Sequence, residues 1–264
     1  MWPDAHWAIA AIGGGLVGFS LALVGGGGSI LAVPILVYAV GIRSPHLAIG
    51  TSAFGVAANA AIGLVGKARD GAVRWRPGLT FAAAGVAGAA LGSVAGKAFD
   101  GQRLLALFAL LMILVGALML RRGEPGEAAP APGDRRTDAR LLGYGFITGV
   151  LSGFFGIGGG FLIVPGLMAA AALPIFNAMA TSLVAVTALG LTTAASYALS
   201  GLIDWPVAIA FVAGGLVGSL GGRRLAKRLA ARRGALTRIF AGLIFAVAAY
   251  MLWKAGGAAL GQAR

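Results

Sequence analysis

The chain has 264 residues, 59% of them hydrophobic and 11% charged, with 45 glycines, no cysteine and a net charge of +13. A mean hydropathy of +0.90 leaves far more apolar area than the interior of a soluble domain can hide, so a water-soluble globule is excluded and lipid is the expected solvent. The lack of cysteine excludes disulfides, thiolate metal sites and a cysteine nucleophile, and the cations lie between apolar spans, where they set membrane orientation rather than bind nucleic acid.

The expected fold class is all-α, a polytopic membrane protein. Met1 to His6 lacks a basic n-region, and the apolar run after it continues far beyond an h-region, so no cleaved leader is expected. That run, Trp7 to Ile42, contains Gly25-Gly26-Gly27-Gly28-Ser29. As one helix its ~36 residues would reach roughly 54 Å, nearly twice the ~30 Å hydrocarbon layer. It reads instead as a hairpin broken at the glycines, with Ile30 to Ile42 as its short limb. Helices follow at about 47–66, 77–96 and 104–120. Residues 121–140, rich in Pro, Gly and mixed charge, read as a solvated cytoplasmic linker. A second run, Leu141 to Ile175, is broken at Gly156-Ile157-Gly158-Gly159-Gly160 with short limb Phe161 to Leu173, and helices follow at 178–199, 206–222 and 237–253. The expected organisation is therefore a first transmembrane repeat (1–120), the linker (121–140) and a second repeat (141–264), each repeat with about five membrane segments.

The two halves align. Gly25, Gly27, Gly28, Val33 and Pro34 fall on Gly156, Gly158, Gly159, Val164 and Pro165 at a shift of 131. After a one-residue gap, Thr51-Ser52, Gly71, Trp75, Gly88 and Gly92 fall on Thr181-Ser182, Gly201, Trp205, Gly218 and Gly222 at a shift of 130. Matches among glycines are cheap in this composition, whereas the Pro, Thr-Ser and Trp matches in register mark a repeat. A hairpin returns to its own side and three helices follow it, so the odd total inverts the second copy. Charge agrees: inversion places the 4 cations between 67 and 76, the 5 between 121 and 140 and the 7 between 223 and 238 on one side, 16 of the 21. Parallel copies would divide them 11 to 10. The cation-rich side is then cytoplasmic, with both termini outside the cytoplasm.

Short, glycine-broken segments in matching positions of inverted halves point to a transporter site near the bilayer midplane. The candidate substrate-binding residues are Gly25, Gly27, Gly28 and Ser29, with Gly156, Gly158, Gly159 and Gly160 in the second half. Glycine lets successive N–H groups converge, and the helix start beyond adds its positive dipole end, which favours an anion without a buried lysine or arginine. Either run alone reads equally as a flexible turn or tight packing; the pair in register favours the site. Thr51, Ser52, Thr181 and Ser182 also belong to the candidate set, where each hydroxyl either donates to an oxyanion or bonds back to its own helix. Pro34 and Pro165 lack an N–H and are expected to kink the short limbs. Asn59, which has Leu189 as its counterpart, reads as glue between helices. The stripes Gly88, Gly92, Gly96 and Gly214, Gly218, Gly222 read as helix packing.

All eight acids, Asp4, Asp70, Asp100, Glu124, Glu127, Asp134, Asp138 and Asp204, lie at span ends or in loops, which disfavours a cation carrier or a proton relay through carboxylates. The cluster from Arg223 to Arg238 reads as an anchor on the cytoplasmic side. Neither a metal nor a cofactor is expected. The expected partners are a small anionic substrate and membrane lipids; nucleic acid is not among them, and the oligomeric state is open, with a homo-oligomer allowed.

The glycine-rich turn followed by Val33-Pro34 and Thr51-Ser52, and its second copy Gly156-Ile157-Gly158-Gly159-Gly160-Phe161-Leu162-Ile163-Val164-Pro165 followed by Ala180-Thr181-Ser182, resemble the motifs of the TauE/SafE sulfite exporter family. The likeness runs over about residues 8 to 253 apart from the linker, and the first copy departs from it at Gly26 and Ser29. It implies a permease of a bacterial or archaeal inner membrane for sulfite or organosulfonates. An anion channel, or a carrier of another small carboxylate or oxyanion, is the alternative. An enzyme is not expected: neither a Gly-x-Ser-x-Gly elbow nor a phosphate-binding Gly-x-x-x-x-Gly-Lys-Ser/Thr loop occurs.

Overall fold

The computed structural model describes residues 3–122, 135–156 and 160–229, together with 242, 244–250 and 253. No strand occurs among them. The first half opens with α1 (Pro3–Val24), followed by a 3-10 segment (Gly25–Leu31), one α turn, α2 (Ala32–Pro34), and a π segment (Ile35–Ala39). It continues with α3 (Pro45–Arg69), α4 (Trp75–Lys97) and α5 (Gly101–Arg122). The second half contains α6 (Arg135–Phe155), α7 (Gly160–Ala171), α8 (Ile175–Ala198) and α9 (Trp205–Leu229), and residues 244–250 are helical. Five of the described helical stretches are long and apolar enough to cross a membrane, and α7 is apolar but shorter.

Helix ends follow local chemistry. Ser44 caps α3, accepting the Leu47 N–H at 3.4 Å, with Pro45 at the first helical position. Asp100 accepts from the Arg103 N–H at 2.9 Å and Asp204 from the Val207 N–H at 3.2 Å, so two of the acids at span ends are helix caps. α9 extends to Leu229, past the expected 222, because its arginine-rich last turns continue the helix beyond the apolar span. α5 and α6 likewise reach into the stretch read as linker, at Arg122 and Arg135.

The first apolar run folds back on itself. The α1 side of this hairpin meets the return limb at three levels: Gly28 lies against the Ser20–Leu21 backbone, Gly13 against the Ile35 side chain, and His6 Nδ1–H donates to the Val40 carbonyl at 2.8 Å. The glycine run, read as the break of the hairpin, winds into a 3-10 helix. Only Gly25 takes a positive φ, +68°, and the 3-10 helix begins at that residue.

α1 packs along α9 and α4 along α6, and small residues make both seams. A Cβ on Gly14 would strike the Phe211 backbone, one on Gly18 the Gly215 backbone and one on Gly222 the Phe19 carbonyl. Across the other seam Gly145 meets Phe81, Gly149 meets Gly85 and Gly92 meets Val150. These are the same three contacts with the halves exchanged, residue for residue at the shifts found in the sequence. The predicted glycine stripes are thus packing surfaces, where absent side chains let backbones touch. Between the seams, α3 lies on α8 with contacts that descend one helix as they climb the other, Gly190 meeting Ala57 and Gly63 meeting Leu183. Large apolar side chains cover the outside, with Ile12 67%, Leu91 62% and Val217 73% exposed, a surface suited to acyl chains rather than water.

Candidate functional site

The candidate residues gather where each hairpin turns. Gly25 and Gly156 have φ of +68° and +64°, a region that L side chains avoid, and their surroundings forbid a side chain as well. A Cβ on Gly25 would strike the Met179 carbonyl, and one on Gly156 would strike Ile49 Cγ2. Met179 and Ile49 are equivalent positions at the shift of 130, so each hairpin turns against the helix that follows the other.

The paired serines hold those turns. Ser182 Oγ donates to the Met179 carbonyl at 2.8 Å and accepts the Gly26 N–H at 2.9 Å. Ser52 Oγ donates to the Ile49 carbonyl at 2.8 Å and lies 3.4 Å from the Gly156 carbonyl. One serine therefore takes a hairpin amide, while the other faces a hairpin carbonyl. The threonines clasp the halves from further out. Thr51 Oγ1 donates to the Leu47 carbonyl at 2.7 Å and accepts the Asp204 N–H at 2.9 Å; Thr181 Oγ1 accepts the Arg74 N–H at 2.9 Å. Arg74 and Asp204 are again equivalent positions. Back-bonding describes Thr51, Ser52 and Ser182, and the four hydroxyls also carry bonds or close contacts between the halves.

The two hairpins meet each other. Gly160, the first residue of α7, lies against the Gly26 carbonyl, and a Cβ placed on it would come within 2.6 Å of Ser29 Oγ. Gly25, Gly26, Gly27, Gly28, Ser29, Thr51, Ser52, Thr181 and Ser182 are all buried. Ser29 Oγ has no hydrogen-bond partner among the described residues. A hydroxyl sealed in an apolar interior without a partner costs about 1–3 kcal/mol, so its position beside the start of α7, whose first N–H groups and dipole present positive potential, is an anomaly that a bound acceptor would relieve.

The candidate residues Gly25, Gly27, Gly28, Ser29, Gly156 and Gly160 thus lie on the two turns, with Ser29 and Gly160 in direct proximity. Gly158 and Gly159 lie outside the described residues, as does Ile157 between them and Gly156. Pro34 ends α2 and is followed by the π segment, in which Val40 N–H reaches back five residues to the Ile35 carbonyl. Pro165 sits inside α7. Gly26, which the motif treats as a departure, supplies the amide that Ser182 accepts; nothing in its residue type marks that role, since only the turn geometry directs its N–H.

The chain matches the profile of the family described as sulfite exporter TauE/SafE over residues 10–251. It is 50% identical over 252 residues to a probable membrane transporter protein of Xylella fastidiosa (strain 9a5c), covering 93% of this chain and 95% of that one. It is 28% identical over 244 residues to the probable membrane transporter protein YunE of Bacillus subtilis (strain 168), covering 84% and 89%. No solved structure matches the chain. With the profile spanning nearly the whole sequence and both glycine turns, the chain belongs to the sulfite exporter TauE/SafE family.

Proposed function

We propose that this protein is a secondary transporter that carries a small anion, sulfite or an organosulfonate, across the inner membrane, binding it between the two hairpin turns. The carrying observation is the meeting of the turns at Gly26, Ser29 and Gly160, with the Ser29 hydroxyl buried and unpartnered among the described residues. Family membership and relatives named as probable membrane transporters support the transport reading. The anion preference rests on glycine amides, a helix start and a hydroxyl, which are hydrogen-bond donors, at a place where the sequence has no acid.

The halves are inverted in this reading. The opposed run of α3 against its equivalent α8, and the exchanged contacts of α1–α9 and α4–α6, support it, as does the gathering of cations on one side. Both termini then lie outside the cytoplasm and the linker lies inside. Ser29→Ala tests the site: removing an unpartnered hydroxyl leaves stability unchanged or raised, while counterflow of radiolabelled sulfite in proteoliposomes shows a KM raised at least about tenfold, the lower end of the worth of one hydrogen bond to a charged group. An unchanged KM for sulfite, sulfonate and carboxylate probes alike refutes a substrate contact at Ser29. A flux that neither saturates nor accelerates in exchange identifies a channel instead.

A further inference from the structure

Asn59 and Arg223 depart from the exchange of contacts seen along the α1–α9 and α4–α6 seams. Ser52, Asn59 and Gly66 recur every seven residues on α3 and so share one face, each about 10 Å beyond the last. Ser52 reaches the Gly156 turn; the Asn59 carboxamide presses on Gly215 of α9; and Gly66 carries the Arg223 guanidinium, whose Cζ lies 2.7 Å from where a Cβ would stand. Asn59 is 3% exposed, and neither its Nδ2 nor its Oδ1 has a hydrogen-bond partner among the described residues. At the equivalent seam between α8 and α4, Leu189 presses on Gly85 in the same way, and Ser93 occupies the position of Arg223 with its hydroxyl returned to the Ala90 carbonyl at 2.9 Å. One seam thus carries a guanidinium and a free carboxamide where the other carries a leucine and a satisfied serine.

Glue between helices does not explain Asn59, because glue forms hydrogen bonds and this amide forms none in the closed packing. An interface anchor does not fully explain Arg223 either, since an anchor extends into headgroups, whereas this guanidinium is half-buried in the seam, on the Gly66 face of α3. A planar fork of N–H donors followed, about 10 Å deeper, by a carboxamide N–H pair is a ladder for an oxyanion with at least two acceptor oxygens.

We propose that the α3–α9 seam is the anion's path between the cytoplasmic face and the hairpin site, with Arg223 capturing the anion at the mouth and Asn59 holding it on the way to Ser52 and the glycine turns. In the closed packing the path is shut and Asn59 is left unpaired; when α9 parts from α3 its amide gains water or substrate. The equivalent seam lacks both groups, so the two faces of the carrier bind the anion unequally. The assignment of direction rests on the transport reading and topology proposed above.

Sided transport tests this in proteoliposomes of known orientation, with radiolabelled sulfite and, in parallel, the sulfonate isethionate. Arg223→Gln raises KM about tenfold from the Arg223 face and by less than about twofold from the other, and Arg223→Lys recovers part of the loss. Asn59→Leu, which copies the other half, lowers turnover at least about tenfold while leaving the protein inserted and no less heat-stable. Because the chain has no cysteine, single cysteines report access cleanly: Asn59→Cys reacts with a membrane-impermeant methanethiosulfonate from the Arg223 face and Leu189→Cys does not. Equal KM changes on both faces, full transport by Asn59→Leu, or an inert Asn59→Cys in transport-active protein each overturns the path. If the wild type moves none of the anions, the transport reading fails, while the thiol labelling still decides whether the seam opens to water.

Discussion

Replacing Ser182 by alanine removes the acceptor of the Gly26 N–H while leaving the backbone of α8 undisturbed. In the native packing that amide lies 2.9 Å from Ser182 Oγ, and both residues are buried, so no water replaces the lost bond. Leaving a buried donor unsatisfied costs about 1–3 kcal/mol, roughly 5- to 150-fold in the folded-to-unfolded ratio. Ser52→Ala provides the internal control. Its hydroxyl lies 3.4 Å from the Gly156 carbonyl, near the limit of a hydrogen bond, and its main bond returns to its own helix at 2.8 Å. Losing it costs less than about 1 kcal/mol. Unfolding both variants by titration with denaturing detergent in mixed micelles gives the difference directly. Ser182→Ala is expected to unfold at a distinctly lower denaturing fraction than Ser52→Ala. Equal stability of the two would refute the inference that Ser182 holds the first hairpin through its turn amide, and with it the asymmetry drawn between the two turns.

Gly71→Ala and Gly25→Ala separate backbone strain from crowding. Both glycines have φ near +67°, at +66° and +68°, but a Cβ on Gly71 meets nothing within 4 Å and one on Gly25 meets the Met179 backbone. The first should cost about 1–2 kcal/mol, and the second about 1–3 kcal/mol more, read in the same detergent titration. Bulky replacements at Gly27 or Gly158 should abolish anion counterflow in protein that still inserts, as seen by membrane fractionation; full flux in both would remove the glycine turns from the site. Asp138→Asn breaks the pair with Arg76, whose 2.9 Å contact has side chains 58% and 34% exposed, and should change stability by no more than about 1 kcal/mol.

Much of the framework was legible from residue order. Apolar length set the helices, because hydrocarbon demands satisfied backbone and leaves few ways to be wrong about a 20-residue apolar run, and the Gly, Pro, Thr-Ser and Trp positions matched between the halves gave a register. The register found between the copies reappears atom by atom in Gly14 with Phe211 and Gly145 with Phe81. Helix ends were less legible: charged residues at Arg135 and Arg224 continue helices that a hydropathy window ends early.

What residue order determined, then, is the apolar helices, the matched register of the two halves and the positions of the two glycine runs, all of which depend on local composition and spacing. The tertiary structure decided which of those groups face each other. Gly160 meets Gly26 and Ser29 from more than a hundred residues away, and whether Ser182 accepts a turn amide or Asn59 is left without a partner among the described residues depends on packing between halves that no local pattern encodes. A hydroxyl or amide reads the same in every sequence context; its chemistry is set by the donors and acceptors that the fold brings within about 3 Å.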